Sequence, residues 1–565
     1  MVYKDVAGIY SLSLEKNLPA LFPPKGVRVD PVVPVAPKKK NPGCEIEFAD
    51  IAERVEVFPL PGGNYRNLTA AAGTLFFRNA DKGDFNRFEF RGTGPMDLMA
   101  FNFKKGKAEE VTKGIAGYSV SNDGKKIIYR KGDNLFVASS SAREAKGKPM
   151  NLSGLRMTLD PRREWKQIFN EAWRMERDYY YEPGMHGVDW PAMRIKYGRL
   201  LKRATCRQDI RFIIGELIGE LNTSHTYVFG GDRTRRAKRI SVGLLGVDWS
   251  ADTGNGLWKI KRILRVPEWT VKAVPPLSLP GLNVADGTYL LAVNGEKVTT
   301  KRNIHSYFVD LAGKPVELTI NSVPAIQGAR KITVVPAHNT GYLRYVDWVE
   351  RNRRTVEKIS GGKLGYLHLP DTYNGSAMVF PKYFFSQTRK KGIVVDGRFN
   401  GGGLDPGVFL RRLANAPHSY WTRRYSFDQT SPFFAPRAHM ALLTNRQAGS
   451  GGDMLPRQFR LMKMGPIIGT RTWGGLVGVS QFLGMIDGGG LTAPDYRIYD
   501  ENGKWVVENV GVKPDIEVDI EASAMKEGRD NQLMTAIEYL MKKITEEPLP
   551  WPQHEPFPVD NTIKN

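Results

Sequence analysis

The hydrophobic period changes along this chain, which excludes a single repeated architecture. From about Ile46 to Ser140 apolar and polar residues alternate in short runs, such as Gly73 to Ala80, residues 88–92 and Leu98 to Phe103, as half-buried strands require. Between Asp160 and Leu221 the period becomes 3.6. Trp165, Ile168, Phe169, Ala172 and Trp173 share one helical face, and Ile210, Ile213, Ile214, Leu217, Ile218 and Leu221 form a second stripe, predicting two packed helices. Asp160-Pro161 opens the first with proline in its first turn, and Glu182-Pro183-Gly184 closes it. Short strands return from Ile240 to Val335. From Lys363 to Asp519 the compact apolar runs Leu364 to Leu369, Gly392 to Asp396, Met440 to Thr444 and Pro466 to Ile468 suit buried strands of an α/β layer. A helix is predicted over 530–544, followed by a proline-rich tail. At 565 residues the chain also exceeds what one core can organise.

Two stretches carry recognisable local patterns. Ser121 to Tyr129, with its Asp123-Gly124 turn, followed by Gly132 to Val137, resembles one blade of a β-propeller, and Ile9 to Leu14 resembles the last strand of an earlier blade. About two blades fit before residue 150, and a propeller needs about four to close. The expectation is that blades precede this sequence or that the strands pack differently. Gly281 to Thr300, followed by helical Ile304 to Leu311 and strand Val316 to Ile320, resembles a PDZ domain, a module that binds extended chain termini at a sheet edge. The fold class expected is multidomain α+β. Its parts are a partial propeller over 1–150, a helical domain over 151–235, a PDZ-like domain over 236–338, an α/β domain over 339–548 and a tail over 549–565.

A formal charge of +23 favours acidic partners. The basic residues nevertheless fall in scattered clusters, Lys38 to Lys40, Arg233 to Arg239, Arg351 to Arg354 and Arg423-Arg424, without a nucleic-acid-binding signature, so a basic solvated surface is the expectation. Cys44 and Cys206 provide neither a disulfide framework nor metal spacing. No run approaches the ~20 apolar residues of a membrane span, and the start lacks an apolar secretory core.

The chemistry concentrates in two glycine-rich turns. Strand Met440 to Thr444 runs through Asn445 to Gly449 into Ser450-Gly451-Gly452-Asp453 and then a helix-compatible segment. That sets a hydroxyl at a strand-to-helix turn, with helix amides available to a developing oxyanion. Taken alone, the turn is ordinary. The second turn, Asp396-Gly397-Arg398-Phe399-Asn400-Gly401-Gly402-Gly403, also follows an apolar strand and lacks the Lys-Ser/Thr of a nucleotide loop. Gly401 or Gly402 is expected to supply a second oxyanion amide. A nucleophilic serine needs a base. His225 stands where an apolar helix ends in a polar turn, but residue types alone do not select it from eight histidines.

Taken together, Asp396 to Gly403, Ala448 to Asp453, Thr472 to Gly478 and Val507 to Asp515 resemble the catalytic core of the tricorn protease family. Glu171-Ala172-Trp173 through Asp178-Tyr179-Tyr180, then Met185 to Trp190, resemble its helical domain. The resemblance covers about residues 45 to 545 and implies a crotonase-like catalytic layer and a serine endopeptidase acting on oligopeptides or unfolded chains. It further implies a tetrad in which Ser450 attacks, His225 carries the proton, Ser224 contacts the imidazole and Glu508 steadies both. The amides of Gly451 and of the Gly401/Gly402 turn would hold the oxyanion. Related tail-specific peptidases pair their serine with a lysine about 25 residues later; here Gly475 stands at that step, which favours the histidine.

The family's upstream propellers are mostly absent from this sequence, and Asn415 to Phe427 holds no carboxylate to select basic residues before the cut. Specificity therefore does not transfer. The expectations are a homo-oligomeric peptidase with a peptide substrate, no metal or cofactor, no membrane, nucleic acid disfavoured and a cytoplasmic site. A non-catalytic peptide-binding scaffold is the alternative.

Overall fold

A computed structural model describes residues 7–16, 18, 20–22, 46–71, 73–80, 94–140, 147–232, 239–267, 270 and 274–558. The strand expected over 88–92, Cys44, Lys38 to Lys40 and most of the Arg233 to Arg239 cluster lie outside the described residues. The chain divides into two units, Met1–Pro161 and Arg162–Asn565.

In the first unit, strands Tyr65–Ala71, Thr74–Asn79, Met96–Asn102 and Lys107–Ile115 form one four-stranded antiparallel meander. Gly117–Val120, Lys126–Lys131, Asn134–Ser139 and Lys148–Pro149 form a second. Strand alternation gives the first sheet two apolar faces. Phe76, Leu98 and Ala100 pack with Ile127 and Tyr129 of the second sheet, while Leu75, Phe77 and Phe101 pack with Ile9 and Phe58. The isolated strand expected near Ile9 is Tyr10–Leu12, paired antiparallel with Val55–Val57.

The second unit opens with helices α1 (Pro161–Tyr179), α2 (Trp190–Gly198) and α3 (Arg207–Gly219). Helix α2 is additional to the two expected. Its nine residues are too few for a clear stripe, and its start is fixed by Asp189, which accepts from the Ala192 amide at 2.9 Å, with Pro191 in the first turn. Ile168, Phe169, Trp173, Ile210, Ile214 and Leu217 form the shared core. After α3 the chain returns as strand Tyr227–Phe229 and pairs with Gly490–Thr492, a strand of the C-terminal region. Buried Arg207 reinforces the join through a 2.5 Å ion pair with Asp487.

Residues 247–334 form an antiparallel sheet in the order Val247–Asp252, Leu257–Ile263, Tyr289–Val293, Val316–Asn321, Arg330–Val334. The helix expected from Ile304 to Leu311 is one 3-10 turn, Ile304–Phe308, because Val309 is already extended, with ψ 130°, and Asp310 follows at a left-handed φ of 58°. The C-terminal region follows α4 (Gly341–Ile359). It is a five-stranded parallel sheet in the order Leu364–His368, Gly392–Asp396, His439–Thr444, Ile467–Gly469, Ile516–Glu517. Helices α5 (Asn374–Phe384), α6 (Gly407–Leu413) and α7 (Gly451–Leu461), with helix Asn531–Glu546, complete this region. The first three strands are buried almost throughout, as parallel strands with covered faces must be.

One side chain on the buried face of α1 violates the apolar pattern. Glu176 is fully buried, and among the described residues its carboxylate oxygens have no hydrogen-bond partner. Burial pushes its pKa up to about 8. Between the unfolded carboxyl value of about 4.3 and that raised value, the folded chain keeps a proton that the unfolded chain releases, so stability falls as pH rises through this window. Glu176→Gln should therefore stabilise the protein by on the order of 3 kcal/mol at pH 8, with the gain shrinking toward pH 4.5. Urea denaturation at the two pH values measures the difference.

Candidate active site

Ser450 sits between strand His439–Thr444 and α7, with φ 58° and ψ −119°. A non-glycine residue held there is strained, and the strain persists only because surrounding bonds fix it. The Ser450 amide donates to Asp453 Oδ2 at 2.9 Å and to the Gly475 carbonyl at 3.0 Å. Asp453 also accepts from the amides of Gly474, at 2.8 Å, and Gly475, at 3.2 Å, so one buried carboxylate ties the serine turn to the 472–477 turn. Burial pushes the Asp453 carboxyl up, and the bonds from Thr472 and these amides only partly offset that effect.

The second glycine turn is held from below. Arg398, 1% exposed, donates to Asp396 at 2.7 Å and to Asp530 at 2.8 Å. Burial pushes the Asp396 carboxyl up, but the Arg398 guanidinium outweighs it and holds the pKa below the ordinary value. Asn400 continues the anchorage: its side chain donates to the Leu369 carbonyl at 2.9 Å, and its carbonyl accepts from the Gly449 amide at 3.1 Å. The two turns thereby meet at Gly402. Its φ is +78°, and a Cβ there would stand 2.6 Å from Ser450 Cβ, so only glycine fits.

The expected oxyanion donors in this turn require correction. The Gly401 amide donates to the Pro370 carbonyl and the Gly402 amide to Asn400 Oδ1, each at 2.9 Å. Both are engaged because Asn400 folds the turn back on itself. Among the described residues, the amides of Gly403 and Gly451 find no protein acceptor. The Gly403 nitrogen lies 3.1 Å from where a Cβ on Gly451 would stand.

His225 lies in the loop after α3, also at positive φ, 60°. Thr492 Oγ1 donates to its carbonyl at 2.6 Å, and the adjoining strand Tyr227–Phe229 carries the loop onto strand Gly490–Thr492. Its Nδ1 lies 2.9 Å from Ser224 Oγ, which donates to Glu508 Oε2 at 3.0 Å. Glu508, 3% exposed, also accepts from the amides of Ser224 at 2.7 Å, Leu476 at 2.6 Å and Val477 at 3.0 Å. An ionised carboxylate only accepts, so the Ser224 hydroxyl proton goes to Glu508 and its oxygen must accept from Nδ1–H. The imidazole then presents an unprotonated Nε2, the tautomer a general base needs. Burial lowers the His225 pKa, and Glu508 partly raises it again.

Ser224, His225 and Glu508 thus form one bonded chain, and Ser450 and Gly451 stand at the neighbouring turn. Ser450 Oγ and the imidazole are not hydrogen-bonded to each other among the described residues. Trp473 borders both: its ring lies 5.6 Å from the imidazole and packs on Gly449. Asp453, Arg398, Asn400 and Trp473 escaped the sequence reading. Only Asp453 carried a local signal, the capping spacing Ser450-x-x-Asp453 at a helix start. Among the described residues no group of three or more His, Cys, Asp or Glu could hold a metal ion.

Residues 363–518 match the model of peptidase family S41, residues 243–339 that of the tricorn protease PDZ domain and residues 161–219 that of the tricorn protease C1 domain. The parallel sheet with its serine elbow thus lies in the region that matches peptidase family S41. The chain is 32% identical over 511 residues to a tricorn-like protease C-terminal subunit of Sulfurisphaera tokodaii, covering 89% of this chain and 58% of the relative. It is 32% identical over 526 residues to tricorn protease homolog 1 of Streptomyces coelicolor, covering 91% and 49%. The crystal structure of the tricorn protease superposes with a TM-score of 0.81 at 25% identity, over 90% of this chain and 50% of that one. The chain belongs to the tricorn protease family and spans about half the length of most curated relatives it matches.

Removing the guanidinium beneath the glycine turn leaves Asp396 charged and unpaired in the core. Arg398→Ala should cost about 3–5 kcal/mol in urea unfolding.

Proposed function

We propose that the chain is a serine endopeptidase that cleaves peptide bonds of oligopeptides or unfolded proteins, with Ser450 as nucleophile. The observation that carries this reading is the Glu508–Ser224–His225 relay, which fixes the imidazole in the tautomer of a general base beside a strained serine elbow. In this reading Ser450 Oγ attacks the scissile carbonyl, and His225 Nε2 takes its proton and returns it to the leaving amine. Ser224 and Glu508 stabilise the imidazolium that forms between these steps. The bond from Ser450 to the imidazole closes with substrate bound, as catalytic hydrogen bonds often do. The oxyanion is held by the unengaged amides of Gly451 and Gly403, each worth on the order of a hundredfold in rate.

The finer architecture belongs to the same proposal. The two four-stranded meanders are blades of a β-propeller, the parallel sheet is a crotonase-like layer, and the active protein is a homo-oligomer. The unbroken order of consecutive strands in each meander supports the first of these.

Ser450→Ala should lower peptide turnover by at least about 10⁴-fold, and His225→Ala nearly as much. Cleavage of a mixed-sequence set of internally quenched peptides measures both. Labelling by a serine-directed fluorophosphonate separates this reading from a peptide-binding scaffold, which would leave Ser450 unlabelled.

The proton balance of His225 gives a pH prediction. The base works when neutral, and its pKa lies below the ordinary imidazole value of about 6.5. The acid limb of kcat/KM should therefore have its inflection below pH 6.5. In Glu508→Gln the limb should move lower still, because the charge that favours the imidazolium is gone.

A further inference from the structure

The Ser224 contact leaves the His225 ring incompletely fixed. Its hydrogen bond acts at Nδ1 alone, and an aromatic ring held at one atom can still swing about that atom. Two rings flank it, Tyr227 at 6.0 Å and 52°, and Trp473 at 5.6 Å and 40°.

Trp473 is itself wedged in place. Its amide donates to the Ala448 carbonyl at 2.9 Å. A Cβ on Gly449 would stand 2.6 Å from its Cε3, and a Cβ on Gly475 would stand 2.3, 2.5 and 2.7 Å from Cζ3, Cε3 and Cη2. The indole thus covers the backbone on both sides of the nucleophile, since Gly449 precedes Ser450 and the Gly475 carbonyl accepts from the Ser450 amide. Any side chain at 475 would need the volume that the indole fills. The space beside Ser450 on that side is closed to a proton-carrying side chain at 475. Although wedged at its base, the ring is still 44% exposed, so its outer face borders solvent rather than core.

We infer that Trp473 is a positioning residue: its indole is the wall that holds the His225 imidazole toward Ser450, and Gly449 and Gly475 are glycine because the indole lies on them. This inference rests on the peptidase reading above. The charged and titratable groups facing the imidazole among the described residues are Glu508, through Ser224, and Tyr227. Removing the indole leaves those groups in place and admits water to the ring. The desolvation that depresses the imidazole pKa is then relieved.

The test uses the full chain and the best-cleaved internally quenched peptide from a mixed-sequence set. Trp473→Ala should lower kcat by roughly 10- to 100-fold with KM changed less than about threefold, consistent with loss of geometry rather than binding. The acid limb of kcat/KM should move up toward pH 6.5. Trp473→Phe, which keeps a flat ring, should recover most of the rate. Gly475→Ala should show a similar loss by displacing the indole, and the double variant Trp473→Ala/Gly475→Ala should be no worse than Trp473→Ala. Circular dichroism confirms that each variant is folded, and fluorophosphonate labelling of Ser450 in Trp473→Ala should slow along with kcat. If Ser450→Ala abolishes cleavage while Trp473→Ala leaves kcat and the acid limb unchanged, the positioning role is wrong and the peptidase reading stands. If Ser450→Ala leaves cleavage intact, the peptidase reading itself falls.

Discussion

Four consecutive backbone amides hold the two halves of the site in register. Gly474 and Gly475 donate to Asp453, at 2.8 and 3.2 Å, and Leu476 and Val477 donate to Glu508, at 2.6 and 3.0 Å. Asp453 belongs to the turn and helix that present Ser450, and Glu508 holds the loop that presents His225. A single stretch of chain therefore sets the distance between the Ser450 turn and the His225 loop. Both acceptors are buried, where a hydrogen bond to a carboxylate is stronger than in water and an unmade one is correspondingly costly. Small shifts in this stretch would change both sides of the site together.

Around that stretch the fold supplies rigidity of two kinds. The parallel sheet fixes where each turn leaves its strand, since Gly392–Asp396 and His439–Thr444 are adjacent and in register, so the turns after Asp396 and Thr444 emerge side by side. Ionic anchors then fix the loops themselves. Arg398 spans Asp396 and Asp530 beneath the glycine turn, and Arg207 with Asp487 joins the helical layer to the strand partner of Tyr227–Phe229. Each anchor is buried and paired, the condition under which a charge can be tolerated in a core. The positive φ values of Ser450 and His225 are sustained by this scaffold rather than by local preference.

Much of the fold was legible because periodicity is a local property. The strands near residues 364, 392, 440 and 466, and the helices beginning near 161 and 207, follow from apolar spacing within windows of about 5 to 20 residues. Helix α2 and the 3-10 turn at Ile304–Phe308 were misjudged, since short elements carry too few apolar positions to show a period. Ser450 was legible as a turn between strand and helix. His225 was distinguished from the other histidines only by the family resemblance that motifs elsewhere in the chain carry.

The sequence by itself determined which residues could bury themselves and with what period, since that depends on side-chain size and spacing along a few residues. Tertiary structure alone decided that Glu508 meets Ser224, the neighbour of His225, across 284 positions of chain, and that Trp473 fills the volume over Gly475. It also decided that Gly401 and Gly402 spend their amides inside the protein. The physical reason is that a hydrogen bond is specified by where two groups meet in space. Spacing along the chain leaves that meeting open until the sheet, the Arg398 anchor and the Asp453–Glu508 bridge have fixed the backbone.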